Sequence, residues 1–296
     1  MKMRKFMAFW AVLCLMGTAL AFPVTVVDDR GAEITIAERP ERIVTILPLY
    51  AEILLDLGAG GTIVGLAESP DNPPELSDLP SVGPSFSPSV EAIVALEPDL
   101  VLGAWGEVRD KLEELGITVL TVGGPGGYIR GIPDIFDAIK TVGTAVGLRD
   151  TAAALVGSIA EEILRTEARV LDLPRLKVAF LYMSAPDAAP WAAGRGTPEN
   201  ELILRAGGEN VFADLAGFPQ VSLEELVLRD PEVILTDPSQ VENVLESKLL
   251  QGISAVANGK VYGLKASAAI STRVAEVLRK LAELLHPEAF REGGGE

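Results

Sequence analysis

The sequence predicts an α/β protein of two similar lobes, each built on a parallel-type central sheet, joined by a long connecting helix. Three observations carry this expectation. The segment Ser89–Gly103, SVEAIVALEPDLVLG, returns as Ser222–Thr236, SLEELVLRDPEVILT, with Ser89/Ser222, Glu91/Glu224, Val94/Val227, Pro98/Pro231 and Leu102/Leu235 identical in gapless register. A repeat interval far above that of a solenoid marks duplicated lobes. The runs Leu100–Leu102 and Val233–Leu235 are apolar without alternation, as in parallel strands covered on both faces. Between the two copies, residues 132–173 carry helical periodicity and no strand signal.

The chain opens with Lys2, Arg4 and Lys5, an apolar run over residues 6–20 and the small-residue pattern Ala19-Leu20-Ala21. This predicts an export signal over residues 1–21, cleaved after Ala21, and a periplasmic product. The apolar run is too short for a lasting transmembrane anchor. The one cysteine, Cys14, follows Leu13 where a lipoprotein signal would place a small residue, so no lipid anchor is expected.

The first lobe is read over residues 22–131. An edge ribbon, 24–27 and 34–36, turns at Asp29-Arg30-Gly31 and precedes a buried strand over 43–47 that Pro48 ends. A helix over 50–57 carries the phrase EILLDLG (Glu52–Gly58), whose glycine caps it. A strand over 62–66, a proline-rich loop and the first repeat follow. A helix over 109–115, a strand over 117–122 and the loop GGPGG (123–127) complete the lobe; the loop lacks both phosphate-binding signatures and reads as a turn. In the connector, 132–174, a helix over 133–146 breaks at Gly147. Asp150 then caps a second helix, whose Leu155, Ile159, Ile163 and Val170 form an apolar stripe.

The second lobe, 175–296, starts with a strand over 177–182 and an irregular segment over 184–197. The phrase ELILRAG (Glu201–Gly207) echoes the first lobe's EILLDLG. After the second repeat come a helix over 241–249, a strand over 260–264, an amphipathic helix over 272–285 and a polar tail.

With 42 acidic against 25 basic residues the chain has a formal charge of -17, which disfavours nucleic acid and suits a soluble monomer. The only histidine, His286, reads as a solvated helix terminus. One histidine and one cysteine exclude a Cys/His zinc site and a Ser-His or Cys-His nucleophile pair, so neither catalysis nor a cofactor is expected. Aromatic residues at predicted strand ends are the positive signal: Tyr50, Phe86, Trp105, Trp191 and Phe218. In open α/β sheets ligands bind beyond the carboxyl ends of the strands, so these residues point to a flat or macrocyclic ligand with apolar faces. Arg195, Arg130 and Lys265 are candidates to meet its anionic groups. Glu91 and Glu224 fit helix-dipole compensation, and as equivalent acids, one per lobe, they are also candidates to pin a partner across both lobes. Ser222 and Glu225 form a capping box on their own, which leaves Glu224 free.

The stretches RIVTILPLYAEILLDLG from Arg42, SPSVEAIVALEPDLVLGAW from Ser87, AGGENVFAD from Ala206 and FPQVSLEELVLRDPEVIL from Phe218 resemble a known family. It is that of the periplasmic substrate-binding proteins of ABC importers for cobalamin, ferric siderophores and haem, and the chain is most similar to the vitamin B12-binding members. The resemblance implies two lobes that hold a ligand between them and close slightly, and one glutamate per lobe, Glu91 and Glu224, that meets arginines of the membrane permease. It also implies cleft contacts at Pro48, Trp191 and Phe218. Where the vitamin B12-binding members carry a first-lobe tryptophan this chain has Ser85 and Phe86, and near their acidic residue of the last loop it has Lys265. The function implied is capture of a metal chelate, cobalamin or another corrinoid, and delivery to the permease. A ferric siderophore or haem is the alternative cargo, and an exported α/β hydrolase the alternative class.

Overall fold

The computed structural model describes residues 22–124 and 127–291. The predicted export signal with Cys14, the centre of the glycine loop and residues 292–296 lie outside the described residues. An antiparallel hairpin of β1 (Val24–Val27) and β2 (Glu33–Ile36) leads in. There follow β3 (Ile43–Thr45), α1 (Pro48–Asp56), β4 (Ile63–Glu68), β5 (Ser81–Pro84), α2 (Val90–Ala95), β6 (Leu100–Leu102), α3 (Gly106–Glu114) and β7 (Thr118–Leu120). Their strands form one parallel sheet in the order β5-β4-β3-β6-β7. The connector consists of α4 (Ile132–Ala145) and the 22-residue α5 (Arg149–Val170).

The second half contains β8 (Leu176–Tyr182), β9 (Trp191–Ala192), α6 (Pro198–Arg205), β10 (Gly208–Asn210), α7 (Leu223–Arg229), β11 (Val233–Thr236), α8 (Val241–Glu246), α9 (Ser254–Ala257), β12 (Val261–Gly263), α10 (Val274–Leu285) and α11 (Pro287–Phe290). Its sheet runs β10-β8-β11-β12, all parallel, with β9 antiparallel on β8.

The repeat occupies the same station in both sheets. β6 lies between β3 and β7, and β11 between β8 and β12, with Leu100–Leu102 and Val233–Leu235 buried throughout. The Ser89 and Ser222 hydroxyls cap α2 and α7, accepting from Ala92 N at 3.1 Å and Glu225 N at 3.0 Å. The capping box is only half made, because the Glu225 carboxylate turns to Arg229 at 2.7 Å. Each helix stops short of its proline, α2 at Ala95 and α7 at Arg229, and the residue before each proline leaves the helical conformation. Glu97 (φ 48) and Asp230 (φ 42) are both left-handed, a conformation that costs a non-glycine residue about 1–2 kcal/mol. Asp230 recovers part of that cost by accepting from Ser254 N at 2.7 Å and Ser254 Oγ at 2.8 Å.

One buried cluster runs from Val24 and Val26 through α1, α4, α5 and β8 to Leu281 and Leu285 on α10, so the halves share a core. Ile159, Ile163 and Val170 of the predicted stripe are buried in it and Leu155 packs on its edge. Asp150 lies inside the first turn of α5, and the cap position is Leu148. His286 is not solvated: it is 3% exposed, with Nε2 3.1 Å from the Gly207 carbonyl. Packing of α10 on α5 carries the helix end against Gly207, where a Cβ would stand 2.7 Å from the imidazole. The short strand β10 has the sequence Gly-Glu-Asn, which carries no apolar signal.

Candidate functional site

The junction of the two halves is tied by three side chains. Glu52 on α1 accepts from Ser271 Oγ at 2.7 Å and Thr272 N at 3.1 Å, just before α10. α10 starts at Val274, just after these contacts, and not at Thr272. Glu201 on α6 accepts from Ile132 N, the first residue of α4, at 2.9 Å. Lys265 Nζ lies 2.9 Å from Asp71 Oδ1 in the proline-rich loop.

The predicted aromatic residues separate into groups. Phe86, 90% exposed, stands edge-on to Trp105 with ring centroids 6.2 Å apart. In the second half Trp191, 51% exposed, is paired with Tyr182 across β9 and β8, and Phe218 meets Tyr182 edge-on at 5.8 Å. Among the described residues no ring contact joins the two groups. Tyr50 is withdrawn from the ligand contacts: it is 1% exposed, donating to the Val122 carbonyl at 3.0 Å and accepting from Val122 N at 2.8 Å. It lies on the inward face of α1, and its ring covers Gly103, where a Cβ would stand 2.5 Å away. Pro48 is half-buried in the first turn of α1. A cavity of about 520 Å³ under the proline-rich loop, lined by Leu66, Glu68, Pro70, Asn72 and Pro84, takes in none of the predicted contact residues.

The cations are largely engaged. Arg130 forks onto Asp134 with both contacts at 2.9 Å, and the bond holds that carboxyl below its ordinary range. Lys265 is raised by its bond to Asp71. Arg195 is exposed, and its main chain bonds to Leu215 and Gly217. Sequence reasoning missed the pair of Tyr182 and Glu199, whose hydroxyl donates to Oε1 at 2.7 Å. Burial pushes the Glu199 carboxyl up, against the opposing pull of that hydroxyl. The only local signal was the place of Tyr182 at the carboxyl end of β8.

Glu91 and Glu224 are both exposed in the first turns of α2 and α7. Its own backbone N–H and the Ser89 hydroxyl, at 3.1 Å, lower the Glu91 carboxyl. Among the described residues neither forms an ion pair, and no group of three or more His, Cys, Asp or Glu could hold a metal ion.

A model of the periplasmic binding protein family matches residues 43–268. The chain is 28% identical over 320 residues to an uncharacterised ABC transporter substrate-binding lipoprotein of Bacillus subtilis, covering 98% of this chain and 100% of the relative. It is 29% identical over 286 residues to a cobalamin-binding protein of Halobacterium salinarum, covering 90% and 75%. The crystal structure of an ABC-type Fe3+-hydroxamate transport system from Saccharomonospora viridis superposes with a TM-score of 0.75 at 27% identity, covering 92% of this chain and all of that one. With more than half of its length matched by the family model and the duplicated sheets in place, the chain belongs to the periplasmic binding protein family.

Proposed function

We propose that the protein is the substrate-binding component of an ABC importer, which captures a corrinoid such as cobalamin between its lobes and delivers it to the membrane permease. The observation that carries this reading is the aromatic shelf of Trp191, Tyr182 and Phe218 at the carboxyl end of a parallel sheet. That is where such sheets take ligands, and an exposed Trp191 ring backed by the partly buried Tyr182 and Phe218 suits a broad macrocycle. The engagement of Arg130 by Asp134 and of Lys265 by Asp71 favours a ligand without strong negative charge. The name of the Halobacterium salinarum relative supports the same cargo.

A ferric hydroxamate siderophore is the second reading, favoured by the likeness to the Saccharomonospora viridis structure. Haem belongs to the same second reading, and a tyrosine would have to hold it, because the only histidine is buried against Gly207. The ligand contacts are Pro48, Phe86, Trp105, Trp191, Arg195 and Phe218. Glu91 and Glu224 dock the permease, one from each lobe. The lobes run over 22–131 and 175–296 on either side of the connector 132–174, a division that the sheet boundaries support. The protein is exported as a monomer and cleaved after Ala21. Calorimetric titration with cyanocobalamin, ferric hydroxamate and catecholate siderophores and haem tests the cargo: micromolar or tighter binding of cyanocobalamin is expected. Exclusive binding of one of the others would replace this reading.

A further inference from the structure

A phenol has one proton to give. Tyr182 gives its proton to Glu199 Oε1 at 2.7 Å, so its oxygen offers any further neighbour lone pairs only. The ring is fixed by Phe218 edge-on at 5.8 Å and by Phe180 at 5.2 Å. Glu199 is 4% exposed, and its Oε2 is buried with no hydrogen-bond partner. It sits at the start of α6, after the capping Thr197, where the helix dipole favours negative charge.

The groups that face this pair come from both halves. Tyr128, from the loop after β7, is pushed up by burial and then by the Glu199 charge. Tyr182 is pushed up by burial, then by Glu199, Tyr128 and Asp237, the residue after β11. None of the largest influences on Tyr182 is a cation, and Lys265, which also senses Asp237, is bound to Asp71. Tyr182 and Glu199 therefore present oxygen lone pairs with no proton of their own to give, and the donor coupled to them by charge is the Tyr128 hydroxyl.

We propose that the Tyr182–Glu199 pair determines specificity, accepting hydrogen bonds from neutral ligands that carry N–H groups, such as the amide-fringed corrin ring, and rejecting their carboxylate counterparts. Tyr182 touches the ligand and Glu199 positions it. The proposal rests on the corrinoid reading. An amide N–H finds an acceptor here, whereas a carboxylate is desolvated against lone pairs that offer it no proton.

Dicyanocobinamide and dicyanocobyrinic acid test it, since they share the ring and lack the nucleotide, the first bearing amides where the second bears carboxylates. In calorimetric titrations at neutral pH, the wild-type protein should prefer the amide form by roughly threefold to tenfold, the scale of one hydrogen bond between neutral groups. Tyr182→Phe should weaken binding of the amide form alone. Glu199→Gln keeps an acceptor for the Tyr182 hydroxyl but removes the charge, and should bring the preference towards unity. The preference should also rise with pH more steeply in the wild type than in Glu199→Gln; the ligand's own titration is common to both proteins and cancels. A folded Glu199→Gln variant with an unchanged preference at every pH overturns this proposal alone. If the wild type binds neither corrinoid, the corrinoid reading fails and this proposal fails with it.

Discussion

Glu52 and Glu201 hold equivalent places in the phrases EILLDLG and ELILRAG, and each reaches out of its own half to the start of a helix, Glu52 before α10 and Glu201 at α4. Each carboxylate meets the positive end of that helix and satisfies one of its free N–H groups. Glu52→Ala and Glu201→Ala should each lower stability by about 1–2 kcal/mol in denaturant titrations. The two losses should add, since the residues share no partner. Gly131→Ala should reproduce the Glu201 loss, because its Cβ would stand 1.9 Å from Glu201 Oε2.

Trp191 has half of its surface free while its main chain is held by β8. Trp191→Ala should weaken ligand binding by about 1–3 kcal/mol with little change in melting temperature. A large melting shift with unchanged affinity would assign it to loop packing.

Charge reversal of both Glu91 and Glu224 to lysine should abolish uptake in cells while leaving ligand affinity unchanged, because both are exposed on the first turns of α2 and α7 and neither is bonded to a residue of the aromatic shelf. Uptake at the wild-type rate would remove them from the permease contact.

The Lys265–Asp71 pair is partly open to solvent, so Asp71→Asn should cost less than about 1 kcal/mol of stability, and high salt should erase the difference. Freeing Lys265 should also strengthen binding of an anionic catecholate siderophore relative to cyanocobalamin, which competition titrations would read.

Burial raises the Glu199 carboxyl above its ordinary 4.5, so the native state holds this proton more tightly than the unfolded chain does. The resulting penalty is absent below the unfolded value and grows as pH rises through the native one. Glu199→Gln should therefore melt higher than the wild type at neutral and alkaline pH, with the advantage vanishing near pH 4. An advantage independent of pH would mean that Glu199 binds its proton equally well in the native and unfolded states, so that burial does not raise it.

What the sequence made legible was local. Ser89, Ser222, the prolines and the buried leucines of the repeat each act within a few residues of themselves, so two equivalent sheet stations could be read from letters alone. Tyr50 was misplaced because its position after a strand says nothing of the turn that sends its ring inward to Val122. His286 was misread for a similar reason: cations suit helix ends, but the packing of α10 against α5 and Gly207 is a contact between distant segments. The pairs Tyr182–Glu199 and Lys265–Asp71 join residues 17 and 194 apart, and no periodicity registers a bond at such a distance.

The buried cluster that runs from Val24 to Leu285 gives two lobes one thermodynamic fate. A fragment cut at the connector would keep its own smaller cluster but expose the shared one to water, so each lobe should be less stable alone, and heat or denaturant should take the chain apart in a single cooperative step. Motion of the lobes during capture and release then draws on the elasticity of α4, α5 and their glutamate ties, since no stretch of the connector can melt without loosening the whole molecule.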